Sequence, residues 1–178
     1  IPFTDITFTK DYYGDMITSI DDLNQYRRDV NFFVFPYDWR YDNFVSKDSL
    51  AAFINRISHT SEQIDFVAHS MGGIVARLYA NENPGRIDKG IFIATPHHGS
   101  IKMLTTLLGI ESPVPLLGAD QSRKMALNYI SAYQLLPDMT VFDSYFKERD
   151  VIYTPADLSQ FTMANSTPPS LDVWERSL

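Results

Sequence analysis

A serine acts as a nucleophile when its hydroxyl stands clear of its own backbone and a positioned imidazole takes its proton. Ser70 stands in Ala68-His69-Ser70-Met71-Gly72, a one-residue variant of the G-x-S-x-G pattern. In that pattern a sharp strand-to-helix turn lifts the serine above a sheet. Small residues two before and two after the serine let strand and helix pass closely. Ala68 and Gly72 meet that need, and Gly73 adds room. The pattern alone is weak, because a small-x-Ser-x-Gly string arises by chance, and it gains force only from its context.

An imidazole needs a carboxylate to fix its tautomer, and on a sheet of the kind that carries this turn the chain order is Ser, then Asp or Glu, then His. The histidines after Ser70 are His97 and His98, in Ala94-Thr95-Pro96-His97-His98-Gly99-Ser100. They follow the very next apolar run with no acid-bearing strand between, so they read as a tight loop beside the serine, shaped by hydrogen bonds, and not as the general base. His69 is expected to point away from the hydroxyl, because neighbouring strand side chains alternate. His59 reads as a solvated loop residue. Asp138, Asp143, Asp150, Asp157 and Asp172 qualify as the acid by order alone, and none is assigned.

The elements that must position Ser70 are legible on both sides. Ile64, Phe66, Val67 and Ala68 form a short apolar run of the kind a buried central strand needs. Ile74, Val75, Leu78 and Tyr79 then recur on one helix face, and Asn83-Pro84-Gly85 supplies a stop. Upstream, Met16, Ile20, Leu23 and Tyr26 predict a helix from an Asp15 cap, while residues 1 to 14 read as a loop or a short edge strand. Phe32-Phe33-Val34-Phe35 predicts a strand ended by Pro36. Leu50, Phe53, Ile54 and Ile57 predict a helix behind a Ser46 or Asp48 cap, running to about Ser58. Ile91 to Ala94 predicts the strand after the serine's helix.

Helix and strand alternating in this way build a parallel sheet by right-handed crossovers, so strands near Phe32, Phe66 and Phe92 are expected side by side. The predicted fold class is α/β, a three-layer α/β/α sandwich. Residues 1 to 100 would form its core portion, with a largely helical, proline-punctuated cap or lid over 101 to 178. Leu104, Leu107, Leu108 and Ile110 suit a core helix packed on the sheet somewhat better than a lid for an apolar substrate. In Pro36-Tyr37-Asp38-Trp39-Arg40, the ion pair could brace the loop and Trp39 plug the core. The same residues could equally line a pocket mouth.

The 178 residues, 44% of them hydrophobic, suffice for one packed domain. A net charge of -7 argues against a nucleic-acid partner, since phosphate binding needs a basic face, and disfavours anionic membranes. Without cysteine there is no disulfide, thiolate nucleophile or zinc-thiolate site, and the compartment stays open. No apolar run approaches the roughly 20 residues of a membrane span. The chain opens on Ile-Pro-Phe, so any targeting segment is expected to lie upstream or to have been removed. No metal or cofactor site is predicted.

Four ordered motifs carry a specific resemblance: Pro-Tyr-Asp-Trp-Arg at 36 to 40, Ala-His-Ser-Met-Gly-Gly at 68 to 73, Ala-Thr-Pro-His-His-Gly-Ser at 94 to 100, and Ser-Ala-Tyr-Gln-Leu-Leu-Pro at 131 to 137. Over roughly residues 11 to 137 the chain resembles the lecithin:cholesterol acyltransferase family of α/β-hydrolases, in a bacterial-lipase-like version. The resemblance implies an incomplete α/β-hydrolase fold. It implies that Ser70 is the nucleophile, that the Met71 backbone N–H is half of the oxyanion hole, and that the substrate is an ester or lipid-like small molecule. It also implies that the triad acid and histidine lie in a remainder of the same polypeptide, which would leave the isolated chain weak or inactive. A non-catalytic hydrolase-like module that binds acyl ligands or partner proteins is the alternative from another class. Amide or thioester cleavage by the same serine is a further one.

Overall fold

The structure, a computed structural model, describes residues 7–23, 25–58, 62–114 and 117–138. The chain divides into two compact units, Ile1–Pro36 and Tyr37–Leu178. In the first, helix α1 spans Thr7–Asp21. It begins eight residues before the expected Asp15 cap and stops short of Leu23 and Tyr26. Gly14 lies inside this helix, and its interior cost of about 1 kcal/mol does not break it.

The expected strand over Phe32 to Phe35 does not form. Among the described residues its ladder pairing is one isolated bridge between Arg28 and Phe32. Asp29 takes a left-handed φ of 60° and its N–H donates to the Phe32 carbonyl at 2.9 Å, while the Phe32 N–H donates to Arg27. Asn31 accepts from the Arg27 N–H and donates to the Gln25 carbonyl. The segment is thus folded back on itself by a local turn, and Pro36 removes the next donor.

The second unit holds the serine. Helix α2, Asn43–Ile57, is capped by Asp42 and not by Ser46 or Asp48 as expected. The Asp42 carboxylate accepts the Phe44 N–H at 2.8 Å, and Ser46 is buried inside the first turns. Strand β1, Ile64–His69, runs directly into helix α3, Met71–Glu82, which ends at the Asn83-Pro84-Gly85 stop. Strand β2, Ile87–Ile93, returns parallel to β1, with Val67 opposite Ile91, Ala68 opposite Phe92 and His69 opposite Ile93. A parallel return needs a crossover helix, and α3 supplies it.

The sheet is two-stranded among the described residues, and it is not the fully buried one expected. Phe66 meets Tyr79 of α3 edge to face, so helix covers one side of β1. Val67, Ile91, Phe92 and Ile93 are exposed. The core lies between helices: α2 packs on α3, burying Leu50, Ile54, Val75, Ala76 and Tyr79. Lys47 of α2 reaches the Glu82 carboxylate of α3 at 2.7 Å. Hydrogen bonds to Asp48 and Glu82 hold its ammonium above the ordinary lysine range.

Helices α4 (Ile101–Leu107), α5 (Ala119–Ala126) and α6 (Ile130–Gln134) follow. Leu107, Ala126 and Ala132 form a second cluster, with Met103, Leu127, Tyr129 and Leu136 around it. Gly109, at φ 72°, lets the chain leave α4 through a left-handed cap, and Arg123 Nε donates to the Leu107 carbonyl freed there. Of the stripe after Ser100, Leu104 and Leu107 are each 2% exposed and so belong to packed core, whereas Ile110 is exposed. Mixed helix and strand with a parallel pair is compatible with the α/β class. No described helix is long and apolar enough to cross a membrane.

Candidate active site

Ser70 occupies the single residue between β1 and α3, with φ 53° and ψ -132°. A left-handed φ is rare for a residue bearing a Cβ and costs on the order of 1 to 3 kcal/mol, so neighbouring contacts have to impose it. Here the Ser70 N–H donates to the Ile93 carbonyl at 2.9 Å, pinning the turn to the end of β2. The Gly73 N–H donates to the Ser70 carbonyl at 3.0 Å and starts α3. Ser70 is half-buried, whereas Met71 and Gly73 are buried. Met71 is the first residue of α3, where backbone N–H groups have no intrahelical acceptor and the helix dipole favours negative charge.

Two loops converge on this turn. The Tyr37 hydroxyl lies 3.8 Å from where a β-carbon on Gly72 would sit. Beyond it, Asp38 and Arg40 form a two-point ion pair, with Arg40 Nε and a terminal nitrogen on the carboxylate at 2.8 and 2.5 Å. Those bonds, together with one from the Arg40 backbone, pull the Asp38 carboxyl down to about 2 and raise the Arg40 guanidinium. The pair braces the loop, one of the two readings open in the sequence. Trp39 does not plug the core: it is 52% exposed and meets Tyr129 edge to face at 5.1 Å. An exposed indole can leave its N–H to water, so no buried partner is required.

The second loop leaves β2 at Ala94, which is itself at φ 49°. Thr95 turns its side chain into the space beside Gly73, where a β-carbon would lie 2.6 Å from Thr95 Cγ2. His97 packs on Phe92 at 5.5 Å, and its Nδ1 is buried without a hydrogen-bond partner among the described residues. Burial first, then Arg77 and His98, push its pKa below the ordinary 6.5. His98 turns outward and pairs through Nδ1 with Asp138 Oδ2 at 2.6 Å. Asp138 had been one of several acids eligible by order. Its contact with His98 was invisible in sequence because forty residues separate them.

Sequence reasoning also missed Gln134. Its Oε1 accepts the Asn43 N–H and its Nε2 donates to Asp42, both at 2.8 Å, tying α6 to the start of α2. The only hint was its place in the motif at 131 to 137. His59, Asp143, Asp150, Asp157 and Asp172 lie outside the described residues. Among the described residues no group of His, Cys, Asp and Glu could hold a metal ion.

No curated protein and no solved structure gives a significant match to the chain. The family model described as lecithin:cholesterol acyltransferase matches residues 3–173. That span takes in the strained serine turn, both loops that converge on it and the helices behind them, so the chain belongs to the lecithin:cholesterol acyltransferase family, a group of lipid acyltransferases and hydrolases.

Proposed function

We propose that this chain carries the nucleophile of a serine ester hydrolase or acyltransferase acting on lipid-like carboxylic esters. Ser70 Oγ attacks the ester carbonyl, the bond to the alcohol oxygen breaks, and the departing alcohol takes the proton that the serine gave up. Water or a second alcohol then attacks the acyl-serine and restores the hydroxyl. The Met71 N–H, at the head of α3, donates to the oxyanion, with the dipole of that helix in support. The fold proposed around these residues is the three-layer α/β-hydrolase sandwich, with residues 1 to 100 in its core and 101 to 178 as cap.

The observation that carries this reading is the backbone of Ser70. A residue with a side chain is held at φ 53° at a strand-to-helix junction, a conformation whose cost is repaid at functional turns. No histidine of the chain is assigned as general base. His97 packs on Phe92 and His98 turns outward onto Asp138, and among the described residues neither ring is hydrogen-bonded to the Ser70 hydroxyl. The 178-residue chain alone is therefore proposed to turn over esters near background, and the full-length protein to do so readily.

The test is labelling of the full-length protein by a fluorophosphonate, with hydrolysis of p-nitrophenyl esters of increasing chain length alongside. Stoichiometric labelling lost in Ser70→Ala, with turnover lost in parallel, is the expected outcome. Unlabelled Ser70 in a folded full-length protein would instead favour the binding-module reading.

A further inference from the structure

The loop from Ala94 to Ser100 is anchored at both ends, and its outer anchor has no part in the chemistry above. At the inner end the Ile93 carbonyl holds the Ser70 N–H, and Thr95 is pressed against Gly73. At the outer end the Ser100 N–H donates to the Leu135 carbonyl at 2.8 Å, and the Asp138 N–H donates to the His98 carbonyl at 2.9 Å. The His98 imidazole then closes the ring onto the Asp138 carboxylate at 2.6 Å. Between them Gly99 sits at φ 84°, where a β-carbon would lie 2.5 Å from Pro137 Cα, so the two backbones are in direct contact.

From this we infer that His98 and Asp138 are a positioning pair for the serine turn. Two residues with side chains, Ser70 and Ala94, hold left-handed φ values of 53° and 49°, and the Ser70 N–H is bonded to the carbonyl of Ile93, the residue before Ala94. Such conformations persist only where surrounding contacts over-determine them. The inner contacts fix only the start of the loop, at Ile93 and Thr95. The outer clamp fixes the rest of the loop to residues 135–138, which α6 ties in turn to the start of α2 through Gln134.

An exposed side-chain pair taken singly contributes little. This one closes a cycle with two backbone hydrogen bonds and a close backbone contact, so its loss frees a whole segment. The inference extends the proposed role of Ser70, and its decisive test needs no activity.

Amide hydrogen exchange is followed in the full chain for the unaltered protein and for His98→Ala, Asp138→Ala and His98→Asn. In the two alanine variants, exchange at Ser70–Gly73 and 94–100 should rise about tenfold or more, while α2 at 43–57 keeps its protection. His98→Asn, whose amide can still donate to Asp138, should retain most of the protection. Unchanged exchange at Ser70–Gly73 in His98→Ala overturns the inference. Should His98→Ala fail to fold, Asp138→Ser makes the same comparison, with the same outcomes.

Fluorophosphonate labelling of the full-length protein separates positioning from proton transfer. Labelling should slow in His98→Ala and recover in His98→Asn. If it stays lost in His98→Asn while protection is intact, His98 acts as a base and the positioning assignment falls. Absence of labelling in the unaltered protein would count against the proposed role of Ser70, and the exchange result would still decide this inference.

Discussion

Thr95 fills the space where a β-carbon on Gly73 would stand: its Cγ2 and Cβ lie 2.6 and 2.8 Å from that position, and its hydroxyl lies nearer still. The glycine at the third position of α3 is therefore required by the loop after β2 and not by the helix itself. Gly73→Ala should destabilise the chain by about 1 to 3 kcal/mol, although alanine is the better helix former. Thr95→Gly in the same background should return a large part of that loss. A double-mutant cycle by urea denaturation measures the coupling, and additive effects would mean that the two residues do not share the space.

The strain at Ser70 predicts an inversion of the usual glycine penalty. At φ 53° and ψ -132° glycine is nearly free of cost, whereas alanine keeps the steric conflict of the serine. Ser70→Gly should therefore be more stable than Ser70→Ala by about 1 kcal/mol, after allowance for the greater freedom of glycine in the unfolded chain. Thermal melting of the two variants side by side decides it. Equal or reversed midpoints would mean that the turn relaxes once the hydroxyl is gone.

Much of the site was legible because it is local. The strand, the serine, the small residues and the helix stop all fall within Ile64 to Gly85, where periodicity and turn chemistry suffice. The Phe32 to Phe35 run misled because β-propensity reports fitness for a pleated surface, and the turn at Asp29 and Asn31 supplied a competing set of hydrogen bonds. The Asp42 cap was missed for a related reason: a cap is chosen by geometry among several eligible residues, and Gln134, ninety-two positions away, helps to fix this one. The pairing of His98 with Asp138 and the Thr95–Gly73 contact depend on where loops return in space, which no local pattern encodes.

The leucines after Ser100 offer a check on whether that region is core or movable cover. Leu107 is 2% exposed and lies against Ala126 and Ala132, whereas Ile110 on the same stripe is 66% exposed. Leu107→Ala should cost about 2 to 5 kcal/mol, from lost transfer energy and the cavity left behind. Ile110→Ala should stay within about 0.5 kcal/mol of the unaltered chain. Denaturant unfolding of both variants distinguishes the cases, and a small effect at Leu107 would argue for a loosely packed cover.

His97 should make the fold sensitive to mild acid. Burial is the main cause that holds its pKa below the ordinary 6.5, with Arg77 and His98 adding to the effect. Well above 6.5 the ring is neutral in both the folded and the unfolded chain, and its contribution to stability is fully present. As pH falls below 6.5 the unfolded chain takes up the proton first, so stability is lost until the folded pKa has been passed. Carboxylates titrate lower, which leaves the range between about pH 7.5 and pH 5.5 to histidine. His97→Gln is neutral throughout, so its urea midpoint should fall less over this range than that of the unaltered chain. Parallel pH profiles for the two would mean that His97 is not what makes the fold acid-sensitive.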